Sequence, residues 1–258
     1  PIEYIHLPQP GKNAALRHVL QVIGKGLVVF TDDDVRVNPE FFMEYHRAAK
    51  EHGQNAFFGG PLLIDAPKPP PEWLKDHLPT SVTGWSLDEP DKPIEKACFL
   101  GANWGAFIER INSVGGFDPK LGPGSKTNAL ADEEDLQERL IKDGAKPVYL
   151  PDAHVWHFVP PQDCTPQWAL RRLYRTTLTT EIRGGDWLQS ADPDGPMFRG
   201  VPRWMWKRAV TQWLKATAAN LVPDPRRRFK MKATYYQWRG RMKGVEEGLK
   251  LMKQAEKT

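Results

Sequence analysis

Short apolar runs and helix-period patterns follow one another over the first part of the chain. The apolar runs are rich in β-branched and aromatic residues, which is typical of strands buried in a parallel sheet. The segments between them place apolar residues three or four positions apart, as amphipathic helices do. Strands are predicted at residues 2–7, 27–31, 56–64 and 147–150, and helices at 13–23, 39–52, 105–114 and 133–142. This alternation predicts an α/β fold with a largely parallel sheet.

The pattern changes beyond residue 165, where the sequence becomes helical and basic. Residues 199–258 contain 16 Lys and Arg but only 4 Asp and Glu, whereas residues 1–198 contain 20 and 28. The net charge of +4 therefore conceals a basic C-terminal region and an acidic remainder. We predict an α/β domain over residues 1–185 and a basic helical appendage over residues 186–258, which anionic surfaces would attract.

Composition narrows the class of protein. A hydrophobic content of 40% and a charged content of 26% are ordinary for a soluble protein. The two cysteines, Cys98 and Cys164, do not suggest a disulfide framework or a zinc site, and they favour a reducing compartment. No apolar run approaches the roughly 20 residues needed to span a bilayer. A cytoplasmic location is therefore expected.

Three consecutive acids, Asp32, Asp33 and Asp34, directly follow the predicted strand at residues 27–31. Open α/β sheets bind ligands at the carboxyl ends of their strands. Asp32 and Asp34, on alternate residues, can share one hard divalent cation, and such a cation could neutralise a diphosphate. The simpler interpretation is that these residues cap the turn before the next helix. The tripeptide alone leaves both interpretations open.

A second acidic cluster, Asp132 to Asp135, begins the helix predicted at residues 133–142. Acids at a helix N-terminus complement the helix dipole, and Asp132 with Asp135 resembles a capping box. Four successive acids are nevertheless more than capping requires. One of these carboxylates could serve as a general base at an adjoining site.

Two further segments are candidates for a site. His154 and His157 lie in a segment bracketed by prolines that reads as extended chain, so their side chains should point to opposite sides and not share a metal. A lone histidine is more often a packed residue than a metal ligand. Residues 101–106 are small and apolar, and they form either a tight strand-to-helix junction or a ligand site. In the second case Asn103 offers an amide and Trp104 a stacking face.

Seven segments in this order resemble family 2 glycosyltransferases of the GT-A fold, over roughly residues 5–185. They are residues 11–16, 28–35 with 38–39, 99–104, 114–118, 121–124, the acidic cluster with Leu136, Arg139 and Leu140, and 148–153 with His157. The resemblance implies an inverting, metal-dependent enzyme that transfers a sugar from a nucleotide-diphosphate donor. The acceptor would be a hydroxyl of a glycan or a lipid-linked saccharide.

The resemblance also implies roles for individual residues. Glu133 occupies the position of the catalytic base, and Asp132 that of the preceding acid. The expected ligands of a divalent cation, Mn²⁺ or Mg²⁺, are Asp32, Asp34 and His157. The remaining assignments are donor binding by Lys12, Arg17, Asp32 and Asp33, and acceptor binding by Asn103 and Trp104.

Two departures from the family pattern support an alternative function. Relatives carry Asp where this chain has Glu133, and their opening strand–helix–strand unit, which grips the nucleotide base, is expected to be missing here. A catalytically impaired, membrane-associated binding or scaffold protein of the same fold is therefore the alternative. A metal-dependent phosphohydrolase using Asp32 and Asp34 is a third hypothesis. A glycoside hydrolase fits less well, because an aspartate triplet suits a metal site better than an acid/base pair.

Residues 202–215 interleave basic residues with Trp204, Trp206 and Trp213. One helical face would carry Trp206 together with Val210, Trp213 and Leu214. This pattern of apolar and basic residues predicts an interfacial helix on an anionic membrane. The competing interpretation is a helix packed on the catalytic domain with a solvated basic face. Nucleic acid is not expected as a partner, since no recognised binding motif is present. We therefore expect a peripheral location on the inner face of the cell membrane.

Overall fold

The computed structural model describes residues 2–8, 10–88, 94–96, 99–124, 132–190 and 195–255. Cys98 lies outside these residues. The chain forms two compact units. The first comprises Pro1–Pro69 and Pro79–Pro161, and the second comprises Pro70–Leu78 and Gln162–Thr258.

The helices and strands alternate in the first unit and give way to helices in the second. In chain order they are α1 (Lys12–Ile23), β1 (Leu27–Phe30), β2 (Val35–Val37), α2 (Phe41–His52), β3 (Ala56–Gly59), β4 (Leu62–Asp65), α3 (Glu72–Lys75), α4 (Thr80–Thr83), β5 (Trp104–Phe107), α5 (Ile108–Ser113), α6 (Asp132–Lys142), β6 (Lys146–Tyr149), β7 (Val155–Phe158), α7 (Pro166–Ile182), α8 (Asp186–Gln189), β8 (Met197–Phe198), β9 (Val201–Pro202), α9 (Arg203–Ala218) and α10 (Pro225–Ala255). Single 3-10 turns lie at Gly53–Asn55, Pro161–Cys164 and Ala219–Leu221.

The main sheet of the first unit has the strand order β1-β5-β3-β6. Strands β3 and β6 are parallel, whereas β5 pairs antiparallel with both β1 and β3. Three of the four strands therefore run in one direction, and β5 is the reversed strand between them. A smaller sheet has the order β2-β7-β4, with β2 antiparallel and β4 parallel to β7.

Both faces of the main sheet are covered by helices, which gives the first unit its core. Phe57 and Phe58 are adjacent in β3 and point to opposite faces, as successive strand residues do. Phe57 packs in a cluster with residues of α1, α5 and α6, and Phe58 packs with Phe41 and Tyr45 of α2. The predicted α/β class and the helical C-terminal region are confirmed.

Several predicted elements have different limits in the structure. Residues 2–7 form no strand, because Ile2 and Tyr4 are exposed and no described strand pairs with them. The strand predicted at 56–64 is interrupted at Gly60, where the backbone approaches the carbonyl of Ala153 too closely for a side chain. The helix predicted at 105–114 is divided into strand β5 and the shorter helix α5.

The second unit consists mainly of α7, α9 and α10, and α10 packs along α7 and α9. The first unit ends at Pro161, earlier than the boundary at residue 185 expected from the sequence, because α7 belongs with α10. Phe229 of α10 is buried with Leu170 of α7, and Trp238 of α10 is buried with Met205 of α9. Within the described residues, none of the helices combines the length and the apolar character that spanning a bilayer requires.

Candidate active site

The aspartate triplet lies where β1 ends and β2 begins, at one edge of both sheets. The backbone oxygen of Asp34 accepts a hydrogen bond from the amide of Phe158 at 2.9 Å, and Val35 pairs with His157 across the β2–β7 ladder. This pairing brings Asp34 Oδ2 to 3.5 Å from His157 Nε2. His154 has a different partner from His157, since its Nδ1 lies 3.2 Å from the side-chain amide nitrogen of Asn38.

The tautomer of His157 follows from its second contact. His157 Nδ1 lies 2.8 Å from the carbonyl oxygen of Ser81. A carbonyl only accepts, so Nδ1 carries a hydrogen and donates it. In the neutral ring Nε2 then presents a lone pair toward the carboxylate of Asp34. Metal-binding histidines are oriented in this way, with the other ring nitrogen bound to a carbonyl, so the pair fits a divalent cation placed between them.

Asp32 has a different partner. Its Oδ1 lies 3.9 Å from Lys12 Nζ, and both side chains are partly exposed. Asp33 is exposed. Among the residues that the structure describes, no three His, Cys, Asp or Glu side chains come close enough together to hold a metal ion. The expected trio of ligands is thus divided, with Asp34 and His157 in contact and Asp32 directed to Lys12.

The four acids at the N-terminus of α6, Asp132 to Asp135, lie in different environments. Leu136 and Leu140 are fully buried, which fixes the orientation of the helix. Asp135 Oδ2 accepts a hydrogen bond from Arg139 Nη2 at 2.7 Å, and the same guanidinium donates to the carbonyl of Gly116. Glu134 is exposed. Asp132 and Glu133 line a cavity, so they are the two acids placed to act on a ligand.

This cavity is small, about 40 Å³, and lies in the first unit between α1, the end of β1 and the start of α6. Its charged side chains are Lys12, Asp32, Asp132 and Glu133, and the side chains of Trp104 and Phe117 form part of its apolar wall. Gly101 keeps it open. A Cβ on Gly101 would lie 3.2 Å from Glu133 Oε1 and 3.3 Å from Lys12 Nζ, so any side chain here would crowd both groups.

Burial and the neighbouring acid perturb Glu133 strongly. Desolvation, followed by the hydrogen bond and the charge of Asp132, raises the pKa of Glu133 from 4.5 to about 7. The positive charge of Lys12 acts in the opposite direction and lowers this pKa. A carboxylate that titrates near neutrality in a cleft is suited to general base catalysis, because it can both lose and accept a proton at the working pH.

Two buried oxygens near Glu133 have no hydrogen-bond donor among the described residues. They are Asn13 Oδ1 and Asp132 Oδ2, and both lie beside Gly122, within 3.0 and 3.3 Å of where its Cβ would be. Asn13 is held in place by the hydrogen bond from its Nδ2 to the carbonyl of Asp118, at 2.7 Å. Asp132 is therefore buried beside Glu133 rather than freely solvated.

Two residues expected to bind ligands, Arg17 and Asn103, are instead structural. Arg17 Nη1 donates to the carbonyls of Gly115 and Phe117, at 2.8 and 2.9 Å, and so braces that turn. Asn103 is fully buried and accepts a hydrogen bond from Tyr45, while its amide donates to the carbonyls of Pro61 and Ala153. The expectations that Arg17 binds the donor and Asn103 the acceptor are corrected accordingly.

Trp104 is a core residue, although it borders the cavity. It is 1% exposed and packs against Phe30 and Phe117, with ring centroids 4.8 and 6.2 Å away. A ring in this position cannot offer a free stacking face, so the expected acceptor-binding role is corrected to support of the cavity wall.

Two residues of the site, Ser81 and Asn13, were not predicted from the sequence. Ser81 acts through its backbone carbonyl, which every residue carries, so no sequence signal marks it. Asn13 is a buried polar residue on an otherwise apolar face of α1, and that contrast could have drawn attention to it.

No protein-family model matches the chain, and no curated protein matches it either. The solved structures that are similar to it include two glycosyltransferases. One is GalNAc-T7 with UDP, GalNAc and Mn²⁺, at 11% identity and a TM-score of 0.42, covering 67% of this chain and 37% of that one. The other is the mannosyltransferase PcManGT from Pyrobaculum calidifontis in complex with GDP-Man and Mn²⁺, at 17% identity and a TM-score of 0.42, covering 100% and 70%. The function therefore has to be inferred from the side chains of the site.

Proposed function

We propose that this chain is the catalytic part of an inverting, metal-dependent GT-A glycosyltransferase. The observation that carries the proposal is the cavity beside β1, where Glu133, with a pKa raised to about 7, faces Lys12 and Asp32. The chain's ordered resemblance to family 2 glycosyltransferases places the catalytic base at the same residue. The donor would be a nucleotide-diphosphate sugar, and the acceptor a hydroxyl of a glycan or a lipid-linked saccharide.

In this proposal Glu133 is the general base. It accepts the proton of the acceptor hydroxyl while that oxygen bonds to the anomeric carbon and the bond to the nucleoside diphosphate breaks. One displacement inverts the configuration of the sugar. Burial, and then the neighbouring Asp132, keep the pKa of Glu133 high enough for it to hold the proton afterwards.

Asp34 and His157 would hold the cation, Mn²⁺ or Mg²⁺, which neutralises the charge on the diphosphate of the donor. Carboxylate oxygen and imidazole nitrogen suit such ions, and Ser81 already orients the ring for ligation. Lys12 adds a positive charge beside Asp32, on the cavity side of the same edge. The chain's part is thus to position the donor phosphates near Lys12 and leave the sugar facing Glu133.

We also propose that the protein is cytoplasmic and lies peripherally on the inner face of the cell membrane. The support is α9, where Val210, Trp213 and Leu214 are each more than half exposed on one side of a basic helix. Apolar side chains surrounded by Lys and Arg suit the surface of an anionic bilayer.

Transfer assays with the full chain test the catalytic proposal. A panel of nucleotide-diphosphate sugars is incubated with Mn²⁺, with Mg²⁺ and with a chelator, and sugar release or transfer is measured for the wild type, Glu133→Gln and Glu134→Gln. We expect metal-dependent turnover that rises with pH through about 7. Glu133→Gln should lower it by about 10²-fold, as losing a general base does, whereas Glu134→Gln should have little effect.

Two results would contradict this assignment. Metal-dependent donor binding without turnover by the wild type would favour the impaired binding or scaffold protein. A greater loss in Asp132→Asn than in Glu133→Gln would place the base at Asp132. The anomeric configuration of the product separately tests the inverting course, since retention would exclude a single displacement.

A further inference from the structure

The second unit contains a larger cavity that the proposed catalytic reaction does not use. It has a volume of about 370 Å³ and is lined by residues of α7, the β8–β9 hairpin, α9 and α10. Apolar side chains make up most of its wall, and Trp206 and Trp213 are prominent among them. Cavities of this size with a few polar groups are typical of small-ligand sites.

The apolar wall continues onto the outer surface of α9. Val210 and Trp213 both line the cavity and are 53% and 51% exposed. Leu214, 56% exposed, lies four residues after Val210 and extends the same side of α9, and Leu221, 87% exposed, lies in the 3-10 turn that follows this helix. A ligand in this cavity would therefore emerge onto an apolar strip, which suits a molecule with a long apolar part.

Two arginines in the cavity wall, Arg199 and Arg239, would attract a negatively charged ligand. The guanidinium of Arg239 lies 5.7 Å from the ring of Tyr174 and 5.8 Å from that of Tyr235, while Arg199 contacts the ring of Phe198. Neither arginine forms an ion pair with a carboxylate in the part of the chain that the structure describes. The one acid in the wall, Glu246, is already bound by Lys243 and Lys250 at 2.9 and 2.5 Å.

The hairpin that carries Arg199 supports a role for this arginine beyond packing. Phe198 pairs with Val201, so Arg199 and Gly200 form a two-residue turn, and their φ angles are +49° and +76°. Such turns favour Asn or Asp before Gly, because any residue with a Cβ is strained at positive φ and the short polar side chains of Asn and Asp offset this by local hydrogen bonds. Among the described non-glycine residues, Arg199 is the one with positive φ. Strained positions of this kind tend to accompany function.

From these observations we infer that the cavity binds the phosphate-bearing headgroup of an anionic lipid. Arg199 and Arg239 would hold the phosphate through charge-assisted hydrogen bonds, which guanidinium groups form well with phosphate oxygens. The lipid chains would lie along Val210, Trp213 and Leu214. This inference rests on the peripheral-membrane proposal above and makes it specific, since it turns a general attraction to negative charge into a saturable site.

The site can be tested by sedimenting the full chain with vesicles of phosphatidylcholine containing phosphatidic acid, over a series of salt concentrations. The test variant combines Arg199→Asn with Arg239→Gln. Asn is favoured in the Arg199 turn, so its introduction should not harm the hairpin. The matched control combines Arg203→Gln with Lys207→Gln, which removes two exposed charges from α9 outside the cavity. Thermal denaturation of each variant verifies the fold.

We expect the cavity variant to lose at least about tenfold more vesicle affinity than the control, since a charged hydrogen bond contributes more than a screened surface charge. At high salt the wild type should keep a residual affinity that the cavity variant lacks. Equal losses in the two variants would overturn the cavity site and leave general membrane attraction standing. An absence of vesicle binding by the wild type would overturn both.

Inorganic phosphate and glycerol phosphate distinguish a lipid from a soluble phosphate ester. Each is titrated into the wild type, and tryptophan fluorescence follows occupancy of the cavity beside Trp206 and Trp213. Binding much weaker than that of the vesicles supports the lipid, because the apolar strip then contributes to affinity. Tight binding of either soluble compound, without vesicle binding, would overturn the lipid assignment.

Discussion

Glu133, the proposed general base, is buried at a cost in stability. Its pKa is about 7 in the folded chain against 4.5 for an ordinary glutamate, because it is desolvated beside Asp132. Between these two values the unfolded chain releases its proton first, so the free energy of unfolding falls as the pH rises. Above about pH 7 the free energy of unfolding has been lowered by the full amount, which for a pKa shift of this size is about 3 kcal/mol.

Glu133→Gln is therefore expected to stabilise the protein at about pH 8 and to leave its stability unchanged at about pH 4, where the glutamate is protonated in both states. Urea denaturation of the wild type and the variant at both pH values measures the difference. Glu134→Gln is the control, since Glu134 is exposed. A stability gain that is the same at both pH values would show that the buried charge is not its cause.

Asp34 is the residue on which donor binding should depend most. Asp34→Asn removes the charge opposite His157 Nε2 while keeping the size of an exposed side chain, so the fold should be intact. We expect metal-dependent binding of UDP or GDP to be abolished, because a hard cation loses a ligand and a neutralising charge. Calorimetric titration with Mn²⁺ checks this, and Asp33→Asn is the matched control. Undiminished binding by Asp34→Asn would remove Asp34 and His157 as the metal site.

The acids proposed for the site stand out in the sequence because the local pattern marks them. Asp34 follows an apolar run, and Glu133 begins a helix whose apolar positions are regular. The role of Asn103 could not be predicted, since its three hydrogen-bond partners, Tyr45, Pro61 and Ala153, are distant in sequence. Arg17 is similar, because it is bound to backbone carbonyls nearly a hundred positions away.

At the scale of elements, α10 depends on three glycines spaced four residues apart. A Cβ on Gly240 would lie 2.4 Å from the carbonyl oxygen of Tyr174, and one on Gly244 would lie 2.5 Å from the Cβ of Glu181 and 2.8 Å from the carbonyl of Leu178. Gly248 instead faces the side chain of Leu188. The spacing brings the backbone of α10 close to α7, which explains why a helix with a weakly amphipathic sequence is stably packed.

Gly244→Ala should therefore destabilise the protein by about 2 kcal/mol, because overpacking outweighs the roughly 1 kcal/mol by which alanine favours a helix. Gly248→Ala is the control and should cost less, since a leucine side chain moves more easily than backbone. Thermal denaturation of both variants gives the comparison. Equal stability of Gly244→Ala and the wild type would contradict the close packing of α10 on α7.

Sequence patterns predicted helices α1, α2 and α6 closely, because amphipathic periodicity is a local property. The direction of β5 was not predictable in this way. Whether a strand runs parallel or antiparallel depends on which strands it pairs with, and β5 pairs with β1 and β3 far away in sequence. The absence of a strand at residues 2–7 has the same origin, since an apolar run forms a strand only where a partner is present.

At the scale of the whole molecule, opposite charges are concentrated in different parts of the chain. Residues 199–258 carry 16 basic and 4 acidic residues, while the acids proposed for catalysis lie in the first unit. Donor binding and membrane binding should therefore depend on different residues. Within the region proposed to bind membranes, Trp213 is half exposed, whereas Trp206 donates a hydrogen bond from Nε1 to the carbonyl of Phe198 and so supports the fold.

The full chain is expected to bind anionic vesicles and to bind them more weakly as salt is added, since screening shortens the reach of its charges from about 10 Å at 0.1 M to about 3 Å at 1 M. Trp213→Ser should weaken this binding by about fivefold at every salt concentration, because burying the exposed half of a large apolar side chain contributes about 1 kcal/mol. Trp213→Ser should leave the calorimetric binding of Mn²⁺ and nucleoside diphosphate unchanged. Asp34→Asn should abolish that binding and leave vesicle binding unchanged. If either variant lost both kinds of binding, donor binding and vesicle binding would not be independent. If vesicle binding were insensitive to both salt and Trp213→Ser, the result would favour the interpretation that α9 packs on the protein rather than on a membrane.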